Sequence, residues 1–505
     1  MSDNEESPSA KRYKSESVIS RATLPKPSDS NVHNSNEQQK VFNDPIHGSI
    51  ELHELLVAII DTPEFQRLRR LQQLGATYYV FPGACHRRFE HSIGTCHLAG
   101  ELLKHLHEKQ PTLNITSEDV LCVQVAALCH DLGHGPFSHM FEDFIAKARP
   151  DAHWKHEQAS LKMFDHMISK NNLTSCFEKF GLYDRERSFI KDLIYQESNG
   201  EESNQNRADK LFLYEIVSNK STGIDVDKFD YIARDSYYLG TKISFEHMRF
   251  IKFCRVIKVG DGKYRLCLRD KEVNACYEIY RIRDQLHRLA YQHPVVKGIE
   301  LLLREVLIAA DDYLLFTASN GSKLKLSGTI DDMSAFSQVD DNVLTLIKHS
   351  TDQTMENAKT ILERIERRNL YSYIGHKHAK YTEDSHQNQW VNVRKEIIEH
   401  CLKNTEQLVI NKDDVLVEKV ELSCGDRGED PIKNMWFYTK ASPDTAKQLD
   451  REHVSTFLPT TFREYDFRLY YKNKHSDLCR NLLSAFNSYW PDKKDPTTTA
   501  GEQSV

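Results

Sequence analysis

The chain has 505 residues, 39% hydrophobic and 28% charged, with 67 basic and 74 acidic side chains and a formal net charge of −7. That length can bury one large core or two lobes, and no apolar run approaches the roughly 18 residues that a membrane helix requires. The acidic start, Met1-Ser2-Asp3-Asn4-Glu5-Glu6, is unlike a secretory leader, and the 11 cysteines stand singly without a Cys-x-x-Cys pair, which argues against a disulfide framework and for a reducing compartment.

Residues 1–38 are rich in Ser, Asn, Lys, Glu and Pro and lack apolar periodicity, so they are expected to form a disordered tail. Within it, Lys11-Arg12-Tyr13-Lys14 has the form of a minimal nuclear address. A nuclear location is therefore expected, with the cytoplasm as the alternative. From Val41 the character changes. Leu52, Leu55, Leu56, Ile59 and Ile60 recur at helical spacing, and Phe65, Leu68, Leu71 and Leu74 continue the pattern. Thr116 to Asp119 has the spacing of a capping box and opens an apolar helix, Val120 to Leu128, that ends at His130-Asp131.

A further helix is predicted from Asp225 to Leu239, where Asp227, Tyr231 and Asp235 recur every four residues and share one face. Phe250 to Val259 and Lys263 to Leu268, separated by Gly260-Asp261-Gly262, read as a β-hairpin. Farther on, strand-like runs (Val415 to Leu422, Met435 to Thr439, Phe467 to Tyr471) alternate with helices such as Asp477 to Tyr489. The expected fold is mainly α, with a helical catalytic core over 39–320, a small β-hairpin, a smaller α+β lobe over 321–490 and a polar, disordered end over 491–505.

Ten of the 24 histidines fall between His86 and His156. In His130-Asp131-Leu132-Gly133-His134-Gly135-Pro136-Phe137-Ser138-His139, imidazoles and a carboxylate stand beside glycines that are read as leaving room for a ligand. His91, His130, Asp131 and Asp227 form a candidate ligand set for one iron, zinc or manganese ion. His139 and His156 are candidates for proton transfer, because an imidazole near its ordinary pKa of about 6.5 can protonate a leaving alkoxide. Glu142 or Asp143 is expected to orient one of them. Arg88, Lys228, Tyr231 and Arg283 are suited to a polyphosphate, since guanidinium and ammonium groups match phosphate oxygens in charge and hydrogen bonding.

Taken with Phe42-Asn43-Asp44-Pro45-Ile46-His47-Gly48, Arg88-Phe89-Glu90-His91-Ser92 and Gly223-Ile224-Asp225-Val226-Asp227-Lys228-Phe229-Asp230-Tyr231, this run resembles the HD-domain deoxynucleoside triphosphate triphosphohydrolases from about Lys40 to about Tyr489. The resemblance implies cleavage of a dNTP to a deoxynucleoside and inorganic triphosphate by attack at the α-phosphorus, with a divalent metal at the HD site and Mg on the nucleotides. It adds His134 to His139 and His156 as active-site histidines and places His287 in the substrate set. Gln73 and Asp235 match positions that read the sugar 3′-hydroxyl, and Leu74 and Tyr291 match those that close over the sugar. An apolar wall at C2′ would leave a ribose hydroxyl unpaired, costing roughly 1–3 kcal/mol, so ribonucleotides are expected to be rejected. Lower dNTP pools and restricted viral DNA synthesis follow as expected consequences.

The resemblance also implies GTP and dNTP activators bound between the subunits of a homotetramer. Lys40, Asp61, Gln66, Arg69 and Arg368 match the guanine-nucleotide activator site; Asn43, Val80, Phe81, Arg249, Arg269, Lys271, His293 and Lys440 match the adjoining dNTP site. The chain departs from the family at Ser372, Leu289 and Ala275, each of which removes a charge or a hydrogen bond from that interface, so activation is expected to survive with altered affinity or nucleotide preference. No SAM-domain pattern precedes the HD segment, and the end looks too short for the family's phosphorylated regulatory segment. Weak single-stranded nucleic-acid binding through a basic face of Arg67, Arg69, Arg70 and Arg87 is a further expectation.

Overall fold

The computed structural model describes residues 40–196, 203–242, 245–380, 387–404, 411–423, 429–455, 458–474 and 476–489. The expected tail, its basic tetrad and the polar end 491–505 lie outside them. The fold is mainly helical with small sheets, as the periodicity predicts.

The first element is a hairpin, strand Lys40–Asp44 against strand Gly48–Leu52, so Leu52 closes a strand and does not open a helix. Asp44 decides this turn: its Oδ1 accepts from the backbone N–H of Ile46 at 2.8 Å and of His47 at 2.9 Å, and Gly48 completes it at φ +75°. Ile50 and Leu52 alternate inward to the core. Helix Glu54–Ile60 then buries Leu55, Leu56, Ile59 and Ile60. After it the expected helical run breaks into short turns, Pro63–Gln66, Arg67–Arg70 and Gly75–Tyr79.

Within these turns Arg67 is fully buried. Its guanidinium donates to the carbonyls of Val339 at 2.7 Å, Leu132 at 3.3 Å and His134 at 2.7 Å, and burial pushes its pKa down to about 10. Arg67 is therefore not part of a basic nucleic-acid face: its donors are committed to buried carbonyls that would otherwise lack partners. Arg70 and Arg87 are paired with Asp340 and Asp341.

Helix Arg88–Lys109 packs along helix Ser117–Cys129. The second starts where its capping box requires: Thr116 Oγ1 accepts from the Asp119 N–H at 3.2 Å, and Asp119 Oδ2 accepts from the Thr116 N–H at 3.1 Å. Helix Val226–Tyr238 lies against the first, capped by Asp225, whose Oδ1 accepts from the Lys228 N–H at 3.1 Å.

The expected hairpin is present but shorter. Residues 250–253 belong to helix His247–Phe253, and only Cys254–Lys258 pairs with Tyr264–Arg269. Phe250 and Ile251 are consecutive and both buried, which a helical turn achieves and a half-exposed strand cannot. Strand Trp436–Tyr438 adds in parallel to the hairpin, joining segments far apart in sequence. The remaining larger sheet has strand Arg463–Tyr471 between Ser372–Lys380 and Val415–Ser423. Its one face packs on a separate apolar cluster that includes Ile397, Phe467, Leu469, Leu482 and Phe486. The main apolar core runs from Ile50 to Tyr470.

Candidate active site

His91 lies in the first turn of helix Arg88–Lys109, His130 caps the end of helix Ser117–Cys129, Asp131 follows it, and Asp227 opens helix Val226–Tyr238. Three separate helix ends thus bring these side chains together. Asp227 Oδ1 lies 3.1 Å from His91 Nε2 and 3.5 Å from His130 Nε2, while Asp131 lies 3.6 Å from the first and 3.5 Å from the second. One ligand atom from each of His91, His130 and Asp131 falls within 4.8 Å of the others.

The tautomers suit a metal. His91 Nδ1 pairs with Asp230 Oδ2 at 2.7 Å and His130 Nδ1 with the Ala127 carbonyl at 2.7 Å, which leaves each Nε2 lone pair facing inward. His130 Nε2 is buried without a hydrogen-bond partner. Such an orphan in a carboxylate-lined site fits a divalent cation. Burial opposes positive charge at His91, but the carboxylates of Asp227 and Asp230 outweigh it and push its pKa up to about 10. The surroundings thus favour positive charge at this ring, and a bound cation would displace the proton from Nε2. Burial likewise opposes charge on Asp131, yet the Arg88 guanidinium, 2.5 Å away, holds its carboxyl well below the usual range.

Asp230 organises the layer behind the candidate ligands, a role the sequence reading did not assign. It is fully buried and also receives His47 Nε2 at 2.7 Å and the Arg234 guanidinium at 2.8 and 2.9 Å, and Arg234 reaches on to Asp44 at 2.8 Å. The i,i+4 spacing of Asp230 and Arg234 was the available signal; His47 and Asp44 come from the distant opening hairpin.

The three remaining histidines form a stack beside this site. His134 and His156 lie with ring centroids 3.8 Å apart, and His139 meets them edge-on at 5.3 and 5.2 Å. Glu142 Oε1 serves two of them, 2.6 Å from His156 Nδ1 and 3.3 Å from His139 Nδ1; Asp143 lines the neighbouring cavity without pairing to either. Burial would raise the Glu142 pKa, but these two imidazoles hold it well below the usual range. His134 is kept neutral by burial and by the charges of Arg88 and His156.

The glycines of the run do not make room for a ligand. A Cβ on Gly133 would come within 2.2 Å of the His156 carbonyl oxygen and the Ser160 nitrogen, and one on Gly135 within 2.2 Å of the Phe141 ring. Gly133 allows helix His156–Lys170 to approach closely enough to deliver His156, and Gly135 gives place to the Phe141 ring of helix His139–Ala148. Phe137 and Ser138 then adopt positive φ, +59° and +61°, a strain of about 1–3 kcal/mol each. Asp341 Oδ1 accepts from the Phe137 N–H at 2.8 Å, and Ser138 Oγ donates to the carbonyls of Gln72 at 2.7 Å and Gln73 at 3.0 Å. The turn is held on both sides and aims His139, whose side chain is 75% exposed, at the cavity mouth.

A cavity of about 380 Å³ opens from these groups. Gln73, Leu74, Arg88, Lys228, Tyr231, Asp235, Arg283, His287 and Tyr291 all line it, with His91, Asp131, Asp227, His134, His139 and His156. The predicted face Asp227, Tyr231, Asp235 therefore opens on the cavity. Asp235 is fixed by His86 Nε2 at 2.7 Å and by the Tyr291 hydroxyl, and Arg283 donates to the Ser423 carbonyl at 2.9 Å. Burial, with the neighbouring Arg283 and His139, lowers the His287 pKa to about 3, and burial raises that of Tyr231. His86, Lys297 and Glu300 also belong to the surroundings; no motif marked them.

The activator-matching residues lie outside this cavity. Lys40 Nζ is 3.4 Å from Asp61 Oδ1, Arg69 donates to Gln66 at 2.8 Å and stacks on Phe89, and Arg368 donates to the Tyr79 carbonyl at 3.0 Å. Arg249 pairs with Glu272, Lys271 covers Phe253, Arg269 pairs with Asp270, and Phe81 meets His293 edge-on. Val80 is half-buried; Asn43 and Lys440 are exposed.

A helical core carrying a buried His-Asp doublet with a third histidine and a second aspartate defines an HD domain, and the HD domain family matches residues 88–233. The deoxynucleoside triphosphate triphosphohydrolase SAMHD1 of Homo sapiens is 46% identical over 444 residues, covering 86% of this chain and 71% of that protein. The corresponding Gallus gallus protein is 44% identical over 470 residues, 91% of this chain and 76% of its own length, and the SAMHD1 homolog of Dictyostelium discoideum is 33% identical over 460 residues, 90% and 81%. The chain belongs to the SAMHD1 family of HD-domain proteins.

Proposed function

We propose that this protein hydrolyses dNTPs to deoxynucleoside and inorganic triphosphate in the 380 Å³ cavity. The observation that carries this reading is the convergence at one cavity of His91, Asp131 and Asp227, with His130 3.5 Å from Asp227, three further histidines and a cationic set. Arg88, Lys228, Tyr231 and Arg283 hold the triphosphate; Gln73 and Asp235 take the 3′-hydroxyl; Leu74, Tyr291 and His287 enclose the sugar. A zinc, iron or manganese ion held by His91, His130, Asp131 and Asp227 would supply Lewis-acid polarisation, with Mg accompanying the nucleotide. Water adds to the α-phosphorus, the bond to O5′ breaks, and O5′ takes a proton. His139, oriented through Glu142 and backed by His156, supplies that proton; neutral His134 shapes the cavity beside them.

In this reading residues 39–320 form the catalytic core and 321–490 a lobe that contributes to activation. GTP occupies the set around Lys40, Asp61, Gln66, Arg69 and Arg368, and a dNTP the set around Asn43, Val80, Phe81, Arg249, Arg269, Lys271, His293 and Lys440, in a homotetramer. By lowering nuclear dNTP levels the enzyme limits DNA synthesis, that of viruses included. Weak single-stranded nucleic-acid contact is confined to Arg69, Arg70 and Arg87.

The test is to incubate the purified protein with dATP and Mg²⁺, with and without GTP, and to follow the products by ³¹P NMR beside an Asp131→Asn control. Inorganic triphosphate formed by the unmutated protein and only with GTP is the expected result. Absence of triphosphate under both conditions overturns the reaction, and equal activity without GTP overturns the activation.

A further inference from the structure

A second group of metal-suited side chains lies away from the HD site, on strands Ser372–Lys380 and Arg463–Tyr471. The strands are antiparallel, with His378 opposite Asp466 and His376 opposite Arg468. Because side chains alternate along a strand, His376 and His378 share one face, and residues directly opposite share it too. A His-x-His pair therefore stands over Asp466.

The spacing is that of ligands and not only of an ion pair. Bonds of about 2.0–2.1 Å to a tetrahedral zinc place neighbouring donor atoms about 3.3 Å apart. Asp466 Oδ1 is 2.9 Å from His376 Nδ1 and 3.5 Å from His378 Nδ1, and each of the three residues offers a donor atom within 4.8 Å of the other two. The carboxylate is pre-set: Asp466 is 2% exposed, and Arg468 Nε binds its other oxygen, Oδ2, at 2.6 Å, so Oδ1 alone faces the imidazoles. Arg468 is in turn anchored to the Gln292 carbonyl. The imidazoles are about half exposed, 47% and 52%, which gives an ion a path in and leaves a coordination position open. Glu464 Oε1, 3.7 Å from His378 Nδ1, borders that position but is engaged by Arg288 at 2.8 Å.

We infer that His376, His378 and Asp466 form a second divalent-metal site, taking a borderline ion of the zinc class and clamping the two strands together. Two imidazoles and one carboxylate select that class over Mg²⁺ or Ca²⁺, which favour oxygen-only shells. The inference does not depend on the dNTPase reading, because its readout is metal binding.

The experiment titrates Zn²⁺ into the tag-free full chain in the presence of Mg²⁺, by calorimetry and by metal counting after dialysis, and compares it with the His376→Gln, His378→Gln double variant. Both proteins are also studied carrying Asp131→Asn, which separates this site from the HD site. Both histidines are exposed enough for glutamine to be accommodated, and unchanged far-ultraviolet circular dichroism and Tm in chelator check that the fold is kept. The unmutated pair binds one zinc per chain more than the double variant and shows the larger rise in Tm with Zn²⁺, and either single variant weakens that step at least tenfold. Equal stoichiometry and affinity in the two proteins overturn the inference, as does Mg²⁺ competing at equal concentration.

Discussion

The cavity and the activator-matching surface contain similar residue types but are built in opposite ways. In the cavity, each group is held by another group of the chain: buried Asp230 behind His91, Ala127 behind His130, buried His86 behind Asp235, and half-buried Glu142 between His139 and His156. On the surface, Lys40, Asp61, Arg69 and Arg368 are exposed and paired mainly with one another or with the nearby backbone. The first site is pre-organised within one chain, where low dielectric strengthens each contact. The second has charges that water still screens and that gain strength only when a ligand or another surface excludes it.

That contrast predicts a descending series of effects. Asp131→Asn removes a ligand and the partner of Arg88 together, and should abolish triphosphate release in the ³¹P NMR assay while the protein remains folded by circular dichroism. His139→Gln should lower kcat by about 10²–10⁴-fold, the span of a lost general acid, with little change in KM. If it changes KM alone, His139 is a binding group and the contrast fails at that residue.

Behind the ligands, Arg234→Met leaves Asp230 and Asp44 buried without their cation. The loss should be about 3–5 kcal/mol of stability, read from the denaturant midpoint. Glu142→Gln probes the same principle by pH. The Glu142 carboxyl is held low in the folded state, so its contribution is full above the ordinary glutamate pKa of about 4.3 and is lost as the pH falls through the depressed folded value. The unmutated protein should thus lose Tm more steeply than the Gln variant as the pH drops below about 4.

Surface changes should be gentler. Arg368→Ala is expected to raise the GTP concentration for half-activation by about ten- to a hundredfold, in line with the roughly 1.5–3 kcal/mol of a charge-assisted contact, with saturated kcat and Tm unchanged. Leu289→Arg, which restores the family's charge at an exposed position, should lower that concentration by only a few-fold, as screened charges do.

Much of this was legible in the sequence because it is local. The Thr116–Asp119 box, the four-residue recurrence of Asp227, Tyr231 and Asp235, and the helix delivering His130 all depend on spacing within one element. The misreadings mark where a contact distant in sequence took precedence. Leu52 fits helical and strand periods alike, and the Asp44 turn selected the strand. Phe250 has β propensity, but burying Ile251 beside it required a helix. Gly133 looked like ligand space until helix His156–Lys170 was seen to fill it. Arg67 reads as a surface cation in any sequence, and three carbonyls from distant segments make it a core residue.

The sequence by itself determined the mainly helical character, the histidine-rich chemistry and the face of Asp227, Tyr231 and Asp235, because periodicity and motif spacing are properties of short segments, while Gln73, Leu74, His287 and Tyr291 came from the family resemblance. Only the tertiary structure decided that Glu142, not Asp143, orients the histidines; that Asp230, His47 and Arg234 stand behind the ligands; and that His376 and His378 meet Asp466. Each of these depends on a helix rotation or a strand register fixed by packing across the whole core, and no local pattern encodes such a constraint.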